Sequence, residues 1–124
     1  MKKLYNTKKT MPDDMVEGFT NAFPDIVKKG NNQRVVLRTN KKSDQKVTLL
    51  IGNGSGHEPI AMGFIGKGLL DANVVGDVFT APSSDLILEG IKEAYSAAGS
   101  ILLISRHEGD VINGKAACLD AQDE

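Results

Sequence analysis

Gly52-Asn53-Gly54-Ser55-Gly56-His57-Glu58-Pro59 is the stretch of this chain best suited to chemistry. Closely spaced glycines let backbone N–H groups approach a small polar ligand. A histidine at the exit of such a loop can give or take a proton near neutral pH. A second stretch, Ser105-Arg106-His107-Glu108-Gly109-Asp110, ends on a carboxylate able to act as a base or to orient a hydroxyl. Both also have structural readings. His57 can cap a helix or satisfy a structural hydrogen bond. Asp110 is a natural N-cap for a helix opening near Val111. His107 and Glu108 read as exposed loop residues.

The generic site motifs fail here. A dinucleotide fingerprint, G-x-G-x-x-G, needs glycine where His57 stands. Gly66-Lys67-Gly68 lacks the Ser or Thr of a phosphate-binding P-loop. A nucleophile elbow around Ser55 needs glycines where Asn53 and His57 stand. Pro59 follows His57-Glu58, so no zinc-binding H-E-x-x-H helix forms. Two histidines without a cysteine cluster do not make a structural metal site. A small-molecule site remains.

The elements that must position these residues alternate. Pro12-Asp13-Asp14 opens a helix whose apolar positions are Met15, Val16, Phe19 and Phe23, and Pro24 ends it. Gly30-Asn31-Asn32 marks a turn and Arg34–Arg38 a short strand. Lys46–Ile51 is an apolar, β-branched run suited to a central strand covered on both faces. The glycine loop follows, then an expected helix from Pro59 through Phe64. A short strand fits Val74-Val75. Ser83-Ser84-Asp85 caps a helix with Leu86, Ile87, Ile91, Ala94 and Tyr95 on its apolar face, closed by Gly99. Ser100–Ser105 reads as the clearest buried strand, and a last helix begins at Val111. This order predicts an α/β fold, a parallel sheet with right-handed crossovers. In such sheets ligands bind beyond the carboxyl ends of the strands, where both candidate loops lie. The last helix runs uncapped into acidic residues with no strand after it. The sheet therefore reads as incomplete, finished by another chain or by more of a longer protein.

The chain has 124 residues, one small domain by length, with 15 basic and 16 acidic side chains. That balance excludes a general nucleic-acid binder. Residues 1–46 carry 11 of the basic and 5 of the acidic groups, which reads as a solvated basic face. An apolar fraction of 40% suffices for a packed core. No apolar run spans a membrane, and Met-Lys-Lys-Leu-Tyr-Asn is no secretory signal, so a cytoplasmic location is expected. Cys118, the only cysteine, reads as a small buried side chain.

Gly52–Pro59 resembles the signature of the dihydroxyacetone kinase family, in its substrate-binding K subunit or domain. The similarity continues in order and spacing through Gly63–Asp71, Gly76-Asp77-Val78-Phe79-Thr80-Ala81-Pro82, Ile101–Ile104 and Gly109-Asp110-Val111-Ile112-Asn113. It covers essentially the whole chain, so residues 1–124 are expected to be the N-terminal portion of a K-type domain, a three-layer parallel-sheet fold.

The resemblance implies a glycerone (dihydroxyacetone) kinase-type phosphotransferase in glycerol metabolism. A small ketose, triose or tetrulose, would sit in the crevice and be phosphorylated on its terminal hydroxyl. Gly54, Ser55, Gly56, His57, Ser105 and Asp110 would line the substrate site. Asp110 would activate the attacking hydroxyl, with His57 assisting through a hydrogen bond. No nucleotide or metal would bind this chain. The donor would sit on a separate L subunit or domain, as ATP or as ADP rephosphorylated in place by a phosphotransferase-system protein, with Mg. A homodimer is expected. Three positions depart from the pattern. The family's covalent hemiaminal histidine would lie beyond Glu124, so the chain alone is expected to be inactive. Ser105 replaces the usual lysine. Asn53 replaces the middle glycine of a triple, and its tolerance of left-handed backbone would preserve the loop. The resemblance also admits a non-catalytic ketose sensor that reports to a transcription regulator, and a truncated chain without activity.

Overall fold

The computed structural model describes all 124 residues, Met1–Glu124. The elements are α1 (Met11–Ala22), β1 (Val27–Lys29), β2 (Val35–Arg38), β3 (Thr48–Ser55), a 3-10 turn (Met62–Phe64), β4 (Ala72–Val78), α2 (Ser84–Glu93), β5 (Ser100–Leu103) and α3 (Glu108–Gln122). They form one five-stranded sheet in the order β1-β2-β4-β3-β5. β3 runs parallel to β4 and to β5, while β2 is antiparallel to both β4 and β1. The sheet is therefore mixed. The parallel part carries the two candidate loops at one end, and the antiparallel hairpin turns through Gly30-Asn31-Asn32.

Each strand divides its side chains between two cores, because successive residues point to opposite faces. On one face Val36, Val75, Leu49 and Ile51 pack with Val16 of α1 and with Met62 and Ile65. On the other, Val35 and Val74 pack with Ile87 of α2 and Ala117 of α3, and Leu50 and Ala72 pack with Ala94 and Ile91. α1 has Pro12, Asp13 and Asp14 in its first turn and stops before Pro24, as its sequence predicts. α2 is capped as expected, the Ser83 hydroxyl accepting from the Leu86 N–H at 3.3 Å.

Several expectations are corrected. β1 is a strand that its sequence does not announce. β3 does not end at Ile51 but continues through Gly52-Asn53-Gly54 to Ser55. The segment from Pro59 forms no α-helix. It makes only the 3-10 turn, because the Gly66 N–H turns back to the Leu70 carbonyl and the Leu70 N–H to the Phe64 carbonyl. α2 ends at Glu93, Tyr95 is exposed, and Gly99 serves the turn into β5 with φ +95° rather than closing the helix. β5 is not the buried strand its apolar run suggests. It is the last strand in the order, with β3 its only neighbour, and Ile101 and Leu103 are 53% and 41% exposed. α3 begins at Glu108, three residues early, so Asp110 lies inside its first turn and is not its N-cap. Cys118 is half-buried on α3.

Asn53 has a different role from the one expected. It lies in extended backbone within β3, not in the left-handed region. Its Nδ2 donates to the carbonyls of Gly54 (2.9 Å) and Ile60 (3.3 Å), and its Oδ1 accepts from Asn73 Nδ2 at 2.8 Å. This buried amide pair ties the end of β3 to β4 and to the turn after His57.

Candidate functional site

The carboxyl ends of β3 and β4 form the floor of the site, and glycine is required there by contact. A Cβ on Gly76 would stand 2.2 Å from the Thr80 carbonyl oxygen, and one on Gly54 would stand 2.8 Å from the Thr80 nitrogen. The turn after β4 therefore lies directly on the strand ends. The Phe79 N–H donates to the Ser55 carbonyl (2.8 Å) and the Thr80 N–H to the Asp77 carbonyl (3.1 Å). Phe79 is held at φ +53°, a left-handed conformation that costs a bulky residue about 1–3 kcal/mol. Its ring is 72% exposed and projects beside His57.

Arg34 braces this end of the sheet from the other side. Its guanidinium donates to both Asp13 carboxylate oxygens, to Asp77 Oδ1 (3.1 Å) and to the Val75 carbonyl (3.5 Å). Burial disfavours its charge, but the hydrogen bonds and charges of Asp13 and Asp77 outweigh that and raise its pKa further above its ordinary value.

An open cavity of about 420 Å3 lies over the strand ends, lined by Gly54, His57, Phe79, Thr80, Ala81, His107, Gly109 and Asp110. The His57 ring meets Phe79 nearly edge-on (centroids 5.3 Å apart, 65°) and stacks on His107 (5.8 Å, 19°). Asp110 is 5% exposed, near the N-terminus of α3, where the helix dipole favours an anion. Its Oδ2 accepts from the Ser105 hydroxyl, and Oδ1 has no donor within the protein. Oδ1 is not sealed from solvent either, since Ser55 Oγ is the one solvent-inaccessible side-chain polar atom lacking a partner. A buried carboxylate with one oxygen held and the other reachable from a cavity can accept a proton or bind a hydroxyl.

The structure thus brings Gly54, His57 and Asp110 together around one cavity. Ser105 stands behind Asp110 and bonds to it. Gly56 lies beside the site, its N–H donating to Glu58 Oε2 (2.9 Å) and its φ of +104° suiting glycine. Ser55 is buried in the floor and is not among the cavity's lining residues. The lining residues Phe79, Thr80, Ala81 and His107 were not expected as site residues. Phe79-Thr80-Ala81 belong to the stretch similar to the family pattern, a signal that marks the segment without assigning it to the site. His107 is exposed, as a loop residue would be, but its ring joins the wall.

A family model described as the Dak1 domain matches residues 17–124. The chain belongs to the Dak1 domain family. It is 43% identical, over 99% of its length, to the dihydroxyacetone-binding subunit DhaK of a PTS-dependent dihydroxyacetone kinase of Listeria innocua, covering 38% of that protein. The corresponding subunit of Lactococcus lactis is 40% identical over 93% of the chain, which covers 34% of it. A crystal structure of the dihydroxyacetone kinase from C. freundii, in complex with AMP-PNP and Mg2+, superposes with a TM-score of 0.89 at 32% identity. That match takes in 98% of this Dak1 chain and 23% of the kinase. The DhaKLM operon coactivator DhaQ of Lactococcus lactis is also similar, 31% identical over 98% of the chain. The Dak1 chain spans a little over a third of the DhaK subunits it matches.

Proposed function

We propose that this chain forms the substrate-activating part of a dihydroxyacetone kinase of the K type. Asp110 carries the proposal: it is a buried carboxylate on a cavity, with one oxygen engaged and one open. A small ketose bound over Gly54 would present its terminal hydroxyl to Asp110, which takes the proton as the oxygen attacks phosphorus. His57 hydrogen-bonds the ketose and fixes its orientation. Phosphoryl transfer needs positioning and charge stabilisation more than covalent help from the protein. Gly54, Ser55, Gly56, His57, Ser105 and Asp110 remain the assigned residues, with Ser105 acting on Asp110 and Ser55 and Gly56 shaping the floor and exit of the loop.

The phosphoryl donor belongs on a separate nucleotide-binding L subunit, as ATP or ADP with Mg, recharged in the second case by a phosphotransferase-system protein. Residues 1–124 are the N-terminal portion of the K-type domain, working as a dimer in the cytoplasm. The similarity to DhaK subunits named as dihydroxyacetone-binding supports the ketose over other small ligands. The test is phosphorylation of dihydroxyacetone by the K-type protein carrying this sequence, reconstituted with an L subunit and either donor. Turnover that Asp110→Asn removes is the expected result. Ketose binding without turnover under either donor would replace the kinase reading with the sensor reading, which the similarity to the DhaQ coactivator favours as the alternative.

A further inference from the structure

Both histidines of the chain stand on one wall of one cavity. They reach it from different elements, His57 from the end of β3 and His107 from the residue preceding α3. Their rings lie nearly parallel, 19° apart, with centroids separated by 5.8 Å. On its other contact His57 meets the edge of Phe79 at 5.3 Å. An imidazole on an exposed loop is ordinarily free to rotate about two side-chain bonds. Here two rings restrict it.

The neighbours of His57 are themselves held. Phe79 sits on a turn pressed against Gly54 and Gly76. The backbone N–H of His107 donates to Ser105 Oγ at 3.3 Å, and the same hydroxyl donates to Asp110 Oδ2. One serine therefore places both the carboxylate and the backbone that carries the second histidine. His107 makes no side-chain cap to α3, so its ring is left to the stack.

We infer that His107 is a positioning residue: its ring, stacked on His57, sets the angle at which the His57 imidazole meets a ligand in the cavity. The inference rests on the kinase reading for its kinetic consequence, but the stacking itself is testable without turnover. A misplaced hydrogen-bonding group costs rate even when all groups are present, because the reacting geometry is reached less often.

Two measurements test this. The first records the His57 ring-proton resonances by NMR in the 124-residue chain. Protons over the face of a neighbouring ring are shielded, so His107→Ala moves the His57 signals downfield and His107→Phe keeps them shielded. Unmoved His57 signals in a folded His107→Ala chain overturn the inference, whatever the reaction is. The second compares kcat and KM for dihydroxyacetone in the reconstituted kinase. His107→Ala lowers kcat/KM about tenfold, and His107→Phe, which keeps a flat ring without its nitrogens, restores it to within about threefold. If Phe fails where Ala fails, a nitrogen of His107 acts in its own right and stacking does not explain the loss. If His57 stacks but the wild-type complex does not turn over, the kinase reading fails and the positioning of His57 stands.

Discussion

Asp71 and Asp110 are buried to nearly the same degree, 6% and 5% exposed, at opposite ends of the same sheet. Their surroundings differ. Asp71, just before β4, accepts from Arg38 Nη1 (2.9 Å), Lys42 Nζ (2.7 Å) and the Leu49 N–H (2.8 Å), so both its oxygens are engaged. The cavity beside it is about 60 Å3, room for a few waters. Asp110 has one hydroxyl partner, no cation and a cavity of about 420 Å3. A carboxylate with both oxygens engaged holds a fold together. One left with an open oxygen retains the capacity to react, and the protein accepts a less satisfied buried charge there.

The largest expected effects separate the two aspartates. Asp110→Asn should lower kcat of the reconstituted kinase about 10²–10⁴-fold, the usual share of a general base, with a thermal midpoint close to wild type. A large drop in midpoint with turnover retained would reverse the roles of the two residues. Asp71→Asn should do the opposite. It leaves Arg38 and Lys42 without their anion and should cost about 2–3 kcal/mol in urea unfolding. That is below the roughly 3–5 kcal/mol lost from fully buried pairs, since both cations keep some contact with water. Dihydroxyacetone binding should survive that substitution.

Gly76→Ala tests whether the turn lies as closely on the strand ends as the distances indicate. Overpacking of this kind typically costs about 1–3 kcal/mol, and the displaced Phe79–Thr80 turn should weaken ketose binding in a calorimetric titration. Wild-type binding in that variant would show that the turn yields without consequence to the site.

The smallest effect concerns pH. Burial disfavours the charged form of Asp71, but the bonds from Lys42, the Leu49 N–H and Arg38 outweigh it and hold its pKa below the ordinary carboxylate value. A group with a depressed folded pKa contributes stability that is fully present above its unfolded value, near 4. That contribution is lost as pH falls through the folded value. Unfolding free energy should decline on acidification below about pH 4, and the decline should be shallower in Asp71→Asn. Equal slopes in the two proteins would assign the acid sensitivity to other groups.

The local signals in the sequence were readable where the cause was local. Pro12 marks a helix start because it has no N–H to leave unpaired, and Ser83 because its hydroxyl accepts one; Pro12 lies in the first turn of α1 and Ser83 caps α2. The pairing of His57 with Asp110 followed from strand ends on a parallel sheet, and the cavity contains both. Failures arise where distant partners decide. Ser100–Leu103 has the composition of a buried strand, but composition does not say how many neighbours a strand will have. Gly52–Ser55 reads as a loop because glycine disfavours strands. It is extended because it pairs in parallel with Val74–Val78 of β4, and it is glycine-rich because the Thr80 backbone and the Ile87 side chain crowd Gly54 and Gly52. The aromatic wall joins Phe79, His57 and His107 across fifty residues, and no periodicity records it.

β5 carries a final consequence. With β3 on one side only, its other side presents unpaired backbone donors and acceptors beside exposed Ile101 and Leu103. An edge of this kind is a template on which an extended segment of another chain can pair. The expected outcome for the 124-residue chain is an average mass that rises with concentration in sedimentation. Dilution, or a lysine placed at Ile101, should keep it dispersed.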